Sequence, residues 1–207
     1  MQATVGRQLG VERGADDGTL PHGDGRSLPL GQHLDALAHL VEIRQSGHVP
    51  DCDALLVPGG ESTAISRLLR REGIDAEIRE HVAAGKPVLA TCAGLIVAST
   101  DAKDERVETL DLIDVTVDRN AFGRQVDSFE APLDVTGMDD PFPAVFIRAP
   151  LIDEVGEGVE VLAEWEGTPV AVRQGPVVGT SFHPELTTDS RLHDLAFFDR
   201  VEAEAAD

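Results

Sequence analysis

Lysine is almost missing from this chain: only Lys86 and Lys103 occur among its 17 basic residues, which face 38 Asp and Glu. The formal net charge of -21 repels nucleic acid and anionic membrane surfaces, so neither is expected as a partner, and it keeps a chain soluble. Acidic, lysine-poor composition is the pattern of halophilic proteins, whose carboxylates hold water and cations in concentrated salt. Cysteine is scarce as well. Two cysteines in 207 residues make no disulfide framework and no metal-ligand spacing, which favours a reducing compartment. No apolar run reaches the roughly 18 residues of a membrane span, and the N-terminus lacks the charged-then-apolar pattern of a signal peptide. The expectation is a cytoplasmic protein without a metal. Repeats and low-complexity tracts are also lacking, and the length suits one α/β domain with a sizeable core.

The texture changes near residue 40. Residues 1–32 hold seven of the twenty glycines, have no apolar run longer than two and show no period of 2 or 3.6, so they read as irregular or disordered. Beyond them, "DALLVPGG" (53–60) is a short strand stopped by Pro-Gly-Gly. "STAISRLLRREG" (62–73) opens with capping residues and carries Ile65, Leu68 and Leu69 at helical spacing. A second helix over 75–84, a strand "PVLAT" (87–91) and a helix over 93–100 come next. Strand and helix in alternation predict a mostly parallel sheet flanked by helices. The second half offers short strands at 111–119, 128–135, 144–150, 159–167, 168–175 and 176–182, some antiparallel by their turns. An amphipathic helix over 190–205 points Leu192, Leu195, Phe197 and Phe198 inward.

Three stretches carry chemistry. In "GKPVLATCAGLIVAST" (85–100) a strand delivers Cys92 into a small-residue turn before a helix, the geometry of a nucleophile elbow. The thiolate is the nucleophile, and a helix N-terminus or an imidazolium favours it. A lone cysteine more commonly packs as a small hydrophobe. In "TSFHPELT" (180–187), Pro184 biases His183 toward an extended conformation, in which His183 and Glu185 project to the same side. A carboxylate beside an imidazole fixes its tautomer, so the pair can serve a thiol as base and then acid; alone, the pair is commonly just exposed and polar. In "VPGGEST" (57–63), Gly59 and Gly60 expose backbone N–H groups suited to an oxyanion, completed by the N–H of Ala93, or they simply make a strand-to-helix turn.

Together "PGGEST" (58–63), "TCAGLI" (91–96) and "SFHPEL" (181–186) resemble a class I glutamine amidotransferase domain, a single flavodoxin-like α/β unit with a Cys-His-Glu triad. "DRNAFGRQVDSFEAPL" (118–133), "FPAVFIRAPLI" (142–152) and "FHPELTTDSRLH" (182–193) resemble more narrowly the glutaminase subunit of pyridoxal 5'-phosphate synthase. The resemblance implies that L-glutamine is hydrolysed and its ammonia passed to a synthase subunit, which joins it to a pentose phosphate and a triose phosphate. The partnership implied is a large hetero-oligomer of equal numbers of both subunits, with no metal or cofactor in the glutaminase. By matching position, Cys92 becomes the nucleophile, His183 the acid and base, and Glu185 its orienting carboxylate. Glutamine contacts fall on Gly60, Glu61, Ser62, Arg119, Ile147 and Arg148, and the oxyanion on Gly59, Gly60 and Ala93. A planar guanidinium suits a substrate carboxylate, although in so acidic a chain Arg119 and Arg148 could equally serve salt bridges. Cys52 is assigned no role.

Residues 1–40 match nothing in that family, whose members open with an apolar first strand, whereas 41–207 read as the glutaminase domain. The expectation is a shifted reading frame or a misassigned start. Three other readings stay open: a glutaminase serving another biosynthetic partner, a cysteine hydrolase of the same broad fold acting on other amides, and a non-catalytic subunit that only binds the synthase.

Overall fold

Every side chain of Val88–Thr91 is buried, the pattern of a strand covered on both faces. In the computed structural model, which describes residues 3–7, 39–119 and 128–198, this segment is β4 and lies at the centre of a seven-stranded sheet. The other strands of that sheet are β1 (Ala3–Arg7), β2 (His39–Ile43), β3 (Ala54–Val57), β10 (Glu160–Trp165), β11 (Thr168–Gln174) and β12 (Val177–Thr180). Their order is β10-β11-β12-β4-β3-β1-β2. Parallel pairing is confined to β3–β4 and β4–β12, and antiparallel ladders extend the sheet on both sides, so it is mixed. A second sheet joins β5 (Ser99–Asp101), β6 (Ile113–Asp118) and β9 (Leu151–Val155), and β7 (Phe129–Leu133) pairs with β8 (Phe142–Phe146) in a hairpin.

The core follows from the period of 2. Along β4, Val88 and Ala90 face one apolar layer and Leu89 the other. The first layer receives Ile65 and Leu69 of helix α1 (Ser62–Arg71), Ile74 and Ile78 of α2 (Ile74–Ala83) and Leu95 and Val97 of α3 (Ala93–Ala98). The second receives Phe142, Phe146, Phe182 and, from α4 (Arg191–Phe197), Leu192 and Leu195. Helix α1 starts where Glu61 caps it, accepting from Thr63 N at 3.2 Å and Ala64 N at 2.7 Å. It gives way to α2 through Gly73, whose φ of 71° is the left-handed turn that glycine permits.

Several boundaries differ from the sequence reading. The helix expected over 93–100 stops at Ala98, where the Ser99 hydroxyl donates to the Ile96 carbonyl at 2.8 Å and the chain enters β5. The strand expected over 144–150 ends at Phe146. Arg148, at φ 44°, then turns the chain into β9, which the sequence pattern did not announce. Within the stretch read as irregular, Ala3–Arg7 is a strand paired antiparallel with β2 and β3. Its regularity comes from partners distant in sequence, which local pattern does not reveal. The rest of residues 1–38, the "NAFGRQV" run (120–126) and the helix reading past residue 198 lie outside the described residues. Leu192 and Leu195 are buried as expected, while Phe197 and Phe198 are only partly so. Among the described residues, no helix is long and apolar enough to cross a membrane.

His81, in the last turn of α2, is 4% exposed and donates through Nε2 to the Pro87 carbonyl at 3.2 Å. Burial pushes its imidazole down from 6.5 to about 4. The folded state therefore binds fewer protons than the unfolded one between those values, and stability present above pH 6.5 is lost as pH falls through 4. Thermal melts in that window should show His81→Gln losing less stability on acidification than the parent, by up to about 3 kcal/mol at pH 4. Parallel curves would count against the buried neutral imidazole.

Candidate active site

The parallel register places three chain segments at one edge of the sheet. Val57 of β3 stands opposite Ala90 of β4, and Thr180 of β12 opposite Thr91. The segments that continue from these strands, Pro58–Glu61, Cys92 and Ser181–Glu185, therefore emerge side by side at the carboxyl ends, where open α/β sheets bind ligands.

Cys92 holds φ 50° and ψ −109°, a conformation that costs a non-glycine residue about 1–3 kcal/mol. Its N–H donates to the Thr180 carbonyl at 2.8 Å and its own carbonyl accepts from Ile96 N at 3.3 Å, so β12 on one side and α3 on the other impose the bend. Gly94 allows α3 to sit there, because a Cβ at that position would overlap the Val57 carbonyl. Cys92 as a residue is 8% exposed, and its thiol lies 4.0 Å from the Ile147 carbonyl.

His183 is fixed at both ends. Its backbone N–H donates to the Val145 carbonyl at 2.9 Å, tying it to β8, and its Nδ1 lies 2.8 Å from Glu185 Oε1. The Thr91 hydroxyl donates to the same carboxylate oxygen at 3.3 Å. Cys92 is the other side chain that favours the charged form of the ring. Burial disfavours the imidazolium, but the interactions with Cys92 and Glu185 outweigh it and raise His183 to about 10. The Cε1 edge of the ring lies against Gly59, where any Cβ would overlap Cε1.

The remaining expected residues divide. Gly60, at φ 152°, continues the turn from Gly59 into Glu61, and Ser62 is buried at the start of α1. Ala93 is the first residue of α3, so its N–H has no partner within the helix. Arg119 does not stand free: its guanidinium is ion-paired with Glu61 and Asp104 and bonded to Thr63. Arg148 is exposed and makes no ion pair among the described residues. The sequence reading missed Thr91 and Val145, whose only signals were a hydroxyl directly before the elbow and a strand leading to "FIRAP", and it missed Asp104, which no motif marks. Cys52 forms no disulfide among the described residues, and its thiol donates to the His48 carbonyl at 3.1 Å, away from these contacts. Among the described residues, no group of three or more His, Cys, Asp or Glu could hold a metal ion.

The chain matches the model of the SNO glutamine amidotransferase family over residues 31–203. It is 77% identical over 171 residues to "Pyridoxal 5'-phosphate synthase subunit PdxT" of Halobacterium salinarum, covering 82% of this chain and 84% of that one. It is 71% identical over 182 residues to the protein of the same name from Haloarcula marismortui, covering 88% of this chain and 92% of that one. A solved structure titled "Crystal structure of glutamine amidotransferase" is 46% identical, with a TM-score of 0.73 over 80% of this chain and 87% of its own. The match over residues 31–203 takes in both the elbow and the His-Pro-Glu turn, and the chain belongs to the SNO glutamine amidotransferase family.

Proposed function

We propose that this protein is the glutaminase subunit of a pyridoxal 5'-phosphate synthase, hydrolysing L-glutamine to glutamate and passing the ammonia to a synthase subunit. The observation that carries the reading is the chain of contacts from Cys92 through His183 to Glu185 at aligned strand ends. The names of the Halobacterium and Haloarcula relatives support the partner.

Cys92 is the nucleophile, with His183 beside it to take up the thiol's proton. Its sulfur attacks the side-chain amide carbon of glutamine, and the C–O π electrons move onto oxygen. The N–H groups of Gly60 and Ala93, with Gly59 shaping the strip, receive that oxyanion, each donor worth on the order of 3 kcal/mol in the transition state. His183 gives its proton to the departing nitrogen, ammonia leaves and a thioester remains. The neutral imidazole then takes a proton from water as it attacks the thioester; glutamate departs, and thiolate and imidazolium are restored. Glu185 holds the ring in the tautomer and orientation that both steps need. Glu61, Ser62, the Ile147 carbonyl, Arg148 and Arg119 hold the substrate, the guanidinium of Arg119 taking its α-carboxylate. In this reading the catalytic unit spans residues 41–207 and residues 1–40 are an atypical segment, a frame question that sequencing the encoding DNA decides. The working form is a hetero-oligomer with equal numbers of both subunits in a salt-rich cytoplasm.

Ammonia release from L-glutamine, measured in high potassium chloride with and without the synthase subunit, tests the proposal. Turnover is expected with the partner and near silence without it, and Cys92→Ala should lose about 10³-fold or more. Undiminished release from that variant would sink the assignment. Nitrogen NMR of the His183 ring should show titration near pH 10, moving down in Glu185→Gln as the carboxylate's support is lost. An unmoved midpoint would remove Glu185 from the relay.

A further inference from the structure

Arg119 comes directly after β6, and its guanidinium bridges to the start of α1. Nη1 donates to Thr63 Oγ1 at 3.1 Å and lies 3.1 Å from Asp104 Oδ2, while Nη2 lies 3.5 Å from Glu61 Oε1. Asp104 is itself immobilised. Its side chain is 8% exposed, and it accepts from the Arg106 backbone N–H at 3.0 Å, from Arg106 Nε at 2.9 Å and from Arg106 Nη2 at 2.7 Å. A two-point guanidinium–carboxylate pair of this kind fixes direction as well as distance, and here it leaves Oδ2 aimed at Arg119. Nη1 is thus occupied by Asp104 and Thr63. Among the described residues, Nε and the second hydrogen of Nη2 have no other partner. Glu61, which Nη2 faces, is next in the chain to the Gly59–Gly60 strip beside His183.

We propose that Asp104 is a positioning residue for glutamine: it holds Arg119 by Nη1 so that the Nε and Nη2 edge presents two parallel donors to the substrate α-carboxylate. The inference rests on the glutaminase reading above. It runs against the simple charge effect. Removing a negative charge beside Arg119 would by itself strengthen its attraction for a carboxylate and lower KM, whereas loss of positioning raises KM.

The test compares ammonia release, in complex with the synthase subunit, by the parent, Asp104→Asn, Arg119→Ala and the double variant. Asp104→Asn should raise KM for glutamine about 10-fold with kcat within about two-fold. On the Arg119→Ala background it should add almost nothing, because both changes remove one interaction. Arg106→Gln, altering an exposed side chain, should raise KM in the same sense by a smaller factor, and it carries the test if Asp104→Asn melts below assay temperature. An active parent with unchanged or lowered KM in Asp104→Asn and Arg106→Gln, or with effects that add to Arg119→Ala, overturns the positioning role and leaves the glutaminase reading intact. A parent inactive with its partner overturns both.

Discussion

The in-phase parallel pairing of β3, β4 and β12 is the constraint on which the site depends. Each strand is four residues long, and because Val88 is opposite both Leu55 and Val177, the three end within one residue of each other. A slip of one position would turn Val88, Leu89 and Ala90 to the wrong layers of the core, so the register is held by burial on both faces. The arrangement of Cys92, His183 and Glu185 thus draws on the packing of the sheet as well as on its own hydrogen bonds. Cys92 and His183 stand 91 positions apart in the chain, yet their approach is settled once that register forms.

Within this rigid frame the structure tolerates local strain at the elbow. Cys92 occupies a backbone region that side chains avoid, and the neighbouring contacts are those that would keep it there: a ladder bond to Thr180 and the first helical bond to Ile96. Gly94 and Gly179 admit α3 close to the sheet, the first against the Val57 carbonyl and the second against the Leu95 side chain. A methyl group at position 94 would push the helix off the Val57 backbone and relax the bend at Cys92, whereas one at position 179 would displace the end of the Leu95 side chain.

Legibility in the sequence tracked the range of the interaction. Cys92, His183 and Glu185 were readable because each sits in a local pattern with a chemical reason: a small-residue elbow, and a proline that sets two side chains on one face. Helices α1 and α2 were readable from their spacing and from the glycines at their ends, although the cap of α1 is Glu61 and not the Ser-Thr pair that follows it. Strands β1 and β9 were not, because what makes each regular is a ladder partner far along the chain, and a five-residue segment carries too little pattern to name it. The sheet was read as mostly parallel because strand-helix alternation in the first half dominates the pattern, while the ladders that flank β3 and β12 come from strands whose direction the turns alone left open. The salt-bridge alternative for Arg119 proved real, in partnership with Glu61 and Asp104, and nothing in "DAKDERVETL" distinguished Asp104 from the other acidic residues around it.

Gly59 adds a mechanical side to the chemistry. With no side chain between them, the turn after β3 and the His183 ring touch directly, so the backbone that would cradle the oxyanion and the group that would deliver the proton share one surface. Anything that presses on the turn from outside therefore bears on the ring and on the backbone beside it in a single movement, as a lever does on two loads hung from the same arm.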